Sequence, residues 1–462
     1  LGTEFQHGAA RCVAPKPEGM PVTADKRVLL AGAAIAVAVS VSHTASAQQA
    51  LGEQSARRDL ASASDVDSNF ARDRNIAVMQ RPRDGYQAVG GRVGAFTIFP
   101  KVSLTAEHND NIFAEPTNES EDLIWKVEPE LNIASDWSRH SLNAYARASI
   151  LRYQDFDTED TEDYTLGANA QIDMLRNSYI RLGADWAEVT EPRSSPDAVT
   201  GSVEPTRYET SGARIAVSHE LNRLRLSAGY DFKSFDYEDG RRSTGVVVDQ
   251  DYRDRDVQTL TARADYAVSP ATALFLEISR NERDYDQTRP AVTLIRDSEG
   301  VQALVGANFE LGAVARGEVG VGYFEQEYDD PTLNDLDGFG ARAQVEWFPT
   351  QLTTVTFTAS RAIEESTDPN GAGYVSANAG VKVDHELMRN VIITGQAAVG
   401  NDDYQGTTRE DDRFNAGVSA TYLLNRYAGV TLAYSHMDMD SSGIGGRDFK
   451  VNKIGATLAL QF

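Results

Sequence analysis

The chain has 462 residues, with 69 acidic against 44 basic side chains and a formal net charge of −25. That balance excludes nucleic-acid binding, which needs Lys and Arg to displace counterions from phosphates. The single cysteine, Cys12, excludes disulfides and thiolate metal centres. Beyond one stretch near the N-terminus there is no apolar run of about twenty residues, which excludes a helical membrane protein.

In chain order, residues 20–47 read as a secretory signal peptide. Lys26 and Arg27 form its charged region, an apolar run follows over 28–41, and Ala45-Ser46-Ala47 is a small-residue cleavage site. Residues 1–19 read as upstream residues or a cloning remnant. Cleavage near Ala47 delivers the chain to the periplasm, an uncleaved anchor being the alternative. Residues 48–90 are polar, lack period-two alternation and carry Arg57, Arg58, Arg72, Arg74, Arg81 and Arg83 among acids. They read as a largely irregular periplasmic arm, with room for a short helix over 51–60. A solvated tail is favoured over an arm that folds into a barrel mouth or touches a periplasmic partner.

From about residue 91 to 462 one event repeats. Some ten residues alternate apolar with polar or small, as a strand with one buried face requires, and a connection follows. Leu142, Ala144, Ala146, Ala148 and Ile150 show the pattern, as do Leu224, Leu226, Ala228, Tyr230 and Phe232. Eighteen such segments are joined by eight short and nine long, mostly acidic connections. An even strand number with short periplasmic turns and long outer loops predicts an all-β protein, a single transmembrane antiparallel up-and-down barrel. The last segment puts Ile454, Ala456, Leu458, Leu460 and Phe462 on one face. It resembles the closing strand of bacterial outer-membrane barrels, which implies a role as the signal read by the barrel-assembly machinery. Closure requires it to pair antiparallel with the first segment, near 96–108.

A soluble sandwich or propeller would also alternate. Two belts of aromatics on the apolar face argue for the membrane instead. Trp125, Tyr164, Trp186, Phe232, Tyr323, Phe339 and Phe414 fall toward the outer side, and Tyr266, Phe309, Trp347, Tyr422 and Phe462 toward the periplasmic side. Outer-membrane lipid and lipopolysaccharide are the partners this implies.

The opposite face lines the lumen. Its charged candidates are Lys101, Lys126, Glu128, Glu130, Arg147, Arg181, Asp185, Arg214, Arg225, Asp231, Lys233, Arg263, Asp265, Glu277, Glu318, Arg342, Glu346 and Lys382. Both signs on neighbouring strands predict ion pairs along the wall. Eighteen strands about 4.8 Å apart, tilted about 40°, enclose roughly 35 Å, too wide for side chains alone to fill. The arm is too short to be the plug of an energised transporter, so outward passage or passive diffusion is expected. His108, His140, His219, His385 and His436 are scattered, Ser435 and His436 point to opposite faces, and there is no metal-ligand spacing or phosphate loop. No catalytic residue, cofactor or metal is expected. The six carboxylates over 155–163 read as a solvated loop, with a divalent cation bridging to lipopolysaccharide as the minor reading. Asp438-Met439-Asp440 starts like a calcium loop but lacks its remaining ligands.

Arg81-Pro82-Arg83-Asp84-Gly85-Tyr86, Gly94-Ala95-Phe96 with Phe99-Pro100, Asn109-Asp110-Asn111-Ile112-Phe113 and Glu191-Pro192-Arg193-Ser194-Ser195-Pro196 resemble the putative β-barrel porin 2 family. The resemblance implies an outer-membrane barrel associated with exopolysaccharide production, and periplasmic polysaccharide-export components as partners. Two functions stand: a porin or export channel for exopolysaccharide or another hydrophilic solute, or a structural, adhesive surface barrel whose acidic loops bind cations, lipopolysaccharide or secreted polymer.

Overall fold

The computed structural model describes residues 75–462 except 197, 200, 287–294 and 367–372. The expected upstream residues, signal peptide and helix over 51–60 lie outside the described residues.

Eighteen strands make one closed antiparallel sheet. They are β1 (Phe96–Asn109), β2 (Asp122–Ser135), β3 (Ser141–Tyr153), β4 (Thr161–Leu175), β5 (Ser178–Thr190) and β6 (Arg207–Leu221). Then come β7 (Leu224–Tyr237), β8 (Arg255–Ser269), β9 (Thr272–Tyr285), β10 (Ser298–Leu311), β11 (Ala315–Tyr328) and β12 (Leu336–Thr350). The last six are β13 (Thr353–Glu365), β14 (Gly373–Met388), β15 (Val391–Tyr404), β16 (Glu410–Leu423), β17 (Ala428–Ser442) and β18 (Phe449–Gln461). Each strand pairs with its neighbours in sequence, and β1 meets β18 in register from Lys101↔Gln461 to Asn109↔Lys453. The ring of hydrogen bonds is complete, so no edge is left for lipid to contact. A short strand, Gly91–Val93, folds back on Phe96, Thr97 and Ile98 and extends the line of β18 below the closure.

Contacts that skip strands identify the inner face. Arg263 on β8 reaches Glu318 on β11 at 2.7 Å, and Arg342 on β12 reaches Glu277 on β9 at 3.1 Å. Side chains that far apart around a ring meet only on its concave side. The other face is apolar and open: Trp125 is 54% and Leu432 59% exposed. A surface of that kind belongs in lipid.

The strands are longer than the alternation predicts, at 13–16 residues. Backbone pairing does not need an apolar face, so the ladder runs past the membrane band into sequence that no longer alternates. The connection before β16 is confined to 405–409 for this reason, because β15 and β16 stay paired as far as Asp403↔Glu410. Inward Arg413 and Asp402, 2.7 Å apart, satisfy each other there. The loop 238–254 holds a small ladder, Gly240–Arg241 with Val247–Val248.

Glycine lets large side chains lie flat on the inner wall. Phe275 on β9 covers Gly306 and Gly320, where an added Cβ would stand 2.5 and 2.9 Å from its ring. Tyr145 covers Gly167 in the same way, at 2.4 Å. Such aromatic cover on cross-strand glycine is a known stabilising device.

Candidate functional site: the lumen and its two mouths

All eighteen charged candidates occupy inward register positions, but the structure groups them unevenly. The densest group is on β8 to β12. Arg263 donates to Asp265 (2.8 Å), Glu277 (3.1 Å) and Glu318 (2.7 Å), and Arg342 donates to Glu277 and Glu318, each at 3.1 Å. The Arg263 guanidinium also lies 4.0 Å above the Phe275 ring. A second group joins β1 to β3: Lys126 with Glu107 at 2.9 Å, Lys101 with Glu130 at 3.4 Å and Arg147 with Glu130 at 3.2 Å. Glu128 shares that face between them. Arg225 pairs with Glu220, Glu346 with Arg316, and Lys382 with Asp384. Arg214 bonds Asn169 at 2.8 Å, Arg181 lies over Tyr179, Lys233 lies over Phe235, and Asp185 lies over Gly212. Asp231 sits at the inward position opposite Arg214.

The wall from β13 to β18 and on to β1 is different. Apart from the Lys382–Asp384 pair on β14, its middle is mostly hydroxyl, amide and glycine. Thr421, Thr431, Thr457 and Thr105 stand in register on four adjacent strands, with Thr421 and Thr431 hydroxyls 3.0 Å apart and Thr105 and Thr457 hydroxyls 2.8 Å apart. A shallow hollow there is lined by Thr105, Thr457, Gln396, Gly417, Ser419, Ser435 and Gly455, together with the charged Glu107 and Lys453. Counted around eighteen strands, β17 stands opposite β8. A hydroxyl wall therefore faces the ionic one. Sequence reading concentrated on charge and passed over this wall.

The outer mouth is crossed by the connection 191–206. Glu191 pairs with Arg253, before β8, at 2.9 Å, both side chains 2% exposed. Arg193 grips Glu159, before β4, through 2.9 and 2.6 Å bonds. The Pro196 carbonyl accepts from Arg409, before β16, at 3.3 Å, and the Arg193 carbonyl accepts from Arg447, before β18, at 2.6 Å. One loop thus ties four others together. Its motif was visible in sequence, but partners 34 to 254 residues away were not. At the same mouth the Asp254 carboxyl is pushed up to about 6 by burial and by the carboxylates of Asp236, Asp251 and Asp286, against the opposing Tyr237 N–H.

The periplasmic mouth holds residues 75–90. They are not the solvated tail favoured from composition. Val78 is fully buried, and its N–H donates to Thr354 Oγ1 at 2.9 Å. Asn75 donates to the Gly312 carbonyl at 2.7 Å, Arg83 meets Glu386 at 3.3 Å, and the Gly90 N–H donates to the Phe462 carbonyl at 3.2 Å. Polar sequence misled here because the surface it packs on is itself polar.

The girdle candidates occupy outward register positions, and several polar tips find rim partners: Tyr323 with Asp337 at 2.8 Å and Trp186 with Glu209 at 3.3 Å. Ile454, Leu458, Leu460 and Phe462 are exposed on that face. His108 lies 3.6 Å from Glu121, and His436 bonds Asn452 at 2.8 Å. Sequence reading missed a close Ser178–His219 contact, 2.6 Å, at the short-turn end of β5 and β6. Among the described residues no carboxylate orients that histidine, so the pair lacks the third member of a triad. Asp239, Asp249 and Asp251 bring carboxylate oxygens within 4.8 Å of one another. They lie in another loop than the acidic stretch 155–163 singled out from sequence.

Residues 83–462 match the family described as Putative beta-barrel porin 2. This chain belongs to that family. It is a porin-like barrel, and the family and fold place it in the outer membrane. Comparison with curated proteins yields no match. Among solved structures the chain is similar to OpdL of Pseudomonas aeruginosa, at 12% identity over 80% of this chain and 100% of that one, TM-score 0.42. It is also similar to OccK2 (OpdF) of the same organism, at 11% identity over 80% and 99%, TM-score 0.45. A BenF-like porin from Pseudomonas fluorescens Pf-5 is 10% identical over 80% and 100%, TM-score 0.44.

Proposed function

We propose that this porin-family barrel is a channel for saccharide chains, with export of exopolysaccharide as its role. Thr421 and Thr457, the two half-buried members of the threonine ladder beside buried Thr105 and Thr431, carry this reading. A hydroxyl both donates and accepts, so it can exchange a bond to water for a bond to a sugar hydroxyl. The net gain per such exchange is small, about 0.5–1.5 kcal/mol. A passage needs many weak sites of this kind, favourable enough to enter and weak enough to leave. The facing wall of β8 to β12 pairs its charges within itself, which leaves little net field to hold or reject a neutral chain.

The test uses the full-length processed protein in planar bilayers. We expect conductance steps that maltohexaose interrupts transiently, and interruptions shortened when Thr421 and Thr457 are both changed to Val. In cells, deletion should reduce polysaccharide secretion. A sealed barrel, together with normal secretion in the deletion strain, would instead favour the structural or adhesive role.

A further inference from the structure

The arm at the periplasmic mouth is fastened on opposite sides of the ring. Gly91–Val93 pairs with Phe96, Thr97 and Ile98 of β1. Asn75 bonds the turn from β10 to β11, half the ring away. Between these points the arm lies inside the mouth, because the side chains it meets are inward ones. Arg316 of β11 donates to the Asn75 carbonyl at 3.0 Å and to Gln80 Oε1 at 2.7 Å. Thr354 of β13 accepts from the Val78 N–H at 2.9 Å. Glu386 of β14 accepts from Arg83 at 3.3 Å and from Arg81 at 3.5 Å. The hold on residues 75–83 is nevertheless slight. Ala77 and Val78 are buried, but Ile76 is 49% exposed. Arg83 is buried, yet its Nε has no hydrogen-bond partner among the described residues. A buried donor left without an acceptor costs free energy that undocking returns. One carboxylate, Glu386, serves both arginines, so one side chain clasps the segment. An exposed link follows at Asp84 and Gly85. Gly85 has a left-handed φ of 89°, and a Cβ added there would meet nothing within 4 Å. Just beyond it, Gln461 of β18 holds the Tyr86 carbonyl at 3.3 Å.

We infer that residues 75–83 are a reversible gate at the periplasmic mouth, hinged at Gly85 and clasped shut by Glu386. The docked segment covers inward side chains of β11, β13 and β14 that a solute entering from the periplasm would otherwise meet. Released, it stays tethered through Gly91–Val93, which remains in the sheet. A glycine with left-handed backbone and open space around it lets the segment swing without a collision. Arg81 and Arg83 face water once the clasp opens, and hydration offsets much of the lost pairing. The docked and released positions therefore differ by little free energy, which a gate requires. This inference rests on the channel reading, but not on which solute passes.

The test is single-channel recording of the full-length processed protein in planar bilayers. We expect the parent to rest at one conductance level with excursions to a higher one. Glu386→Gln should raise the ratio of time at the higher level to time at the lower at least about tenfold, the weight of a charge-assisted bond. Gly85→Val penalises the left-handed backbone of the docked arm and leaves the barrel untouched, so it should move the ratio the same way. It decides the matter should Glu386→Gln fail to fold. Arg83→Cys/Glu386→Cys should favour the higher level, and joining the two thiols with a short bismaleimide should hold the lower one. If Arg83 and Glu386 only stabilise the barrel, the variants lower unfolding stability and leave the two levels and their ratio unmoved, which overturns the inference. A single level in every protein, bridged or not, also overturns it, while the channel reading stands. No current through any of them overturns both.

Discussion

Arg263→Met tests whether the ionic wall of β8 to β12 is a single cooperative unit. Arg263 lies within 2.7–3.1 Å of Asp265, Glu277 and Glu318, on three strands, and covers Phe275. Met keeps most of the packing on that ring and removes the charge. Asp265, 0% exposed, loses its cation, while Glu277 and Glu318 keep Arg342. Breaking a buried pair from one side costs about 3–5 kcal/mol. Arg342 remains beside Glu277 and Glu318, so the lower end of that range, about 3 kcal/mol, is expected. The assay is urea unfolding in lipid vesicles followed by tryptophan fluorescence. Arg263→Met/Glu318→Gln should recover part of the loss, because one uncompensated carboxylate is gone, and the two sites should couple by more than about 0.5 kcal/mol. The wall's two arginines and three carboxylates carry −1, which becomes −2 in the single variant. Cation preference of the channel should therefore rise. A loss under about 1 kcal/mol with additive behaviour would refute the idea of a shared network.

Four further outcomes follow from the same geometry. Val78→Asp, or Arg83→Ala at its contact with Glu386, should release residues 75–90 from the periplasmic mouth and raise single-channel conductance; unchanged conductance would show that the arm does not obstruct the passage. Gly306→Val forces a Cβ to 2.1 Å from the Val319 carbonyl and 2.5 Å from Phe275, and should lower unfolding stability by more than about 1 kcal/mol. Gly395→Ala, with nothing within 4 Å, should cost about 0.5 kcal/mol or less in the same assay. Asp254 has a raised carboxyl pKa, so the outer-mouth fold favours its neutral form. That contribution is present below the ordinary carboxylate range and is lost as pH rises through about 6. Amide protection in the turn Asp251–Arg253, corrected for the base-catalysed rise of intrinsic exchange, should fall across that pH range in the parent protein and not in Asp254→Asn.

The barrel was legible because a membrane strand is a repeated, local pattern. Leu224 through Phe232 alternates without a break, and the turn at Asn222, with its left-handed φ of 56°, follows directly on β6. Closure was legible too, since Leu458 and Leu104, which pair, sit in the same phase of that pattern. The site was legible only in part. Alternation assigns Arg263 and Glu318 to one face, but their contact across three strands depends on barrel curvature, which no local pattern contains. The loop motif around Arg193 was visible, while its grip on Glu159, Arg409 and Arg447 was not. Threonines 105, 421, 431 and 457 looked unremarkable one at a time, and only the register aligns them.

The central claim is that one face of the strands lines an aqueous passage. The single cysteine, Cys12, precedes the expected cleavage site, so the processed chain offers a clean background for a single introduced thiol. Thr457→Cys and Leu458→Cys differ by one residue and by face: Leu458 is outward and Thr457 meets Thr105 inside. With a charged, membrane-impermeant thiol reagent in a planar bilayer, the current should fall at Thr457→Cys and hold at Leu458→Cys. Reaction at Leu458→Cys with none at Thr457→Cys, or no current through either, would contradict the claim.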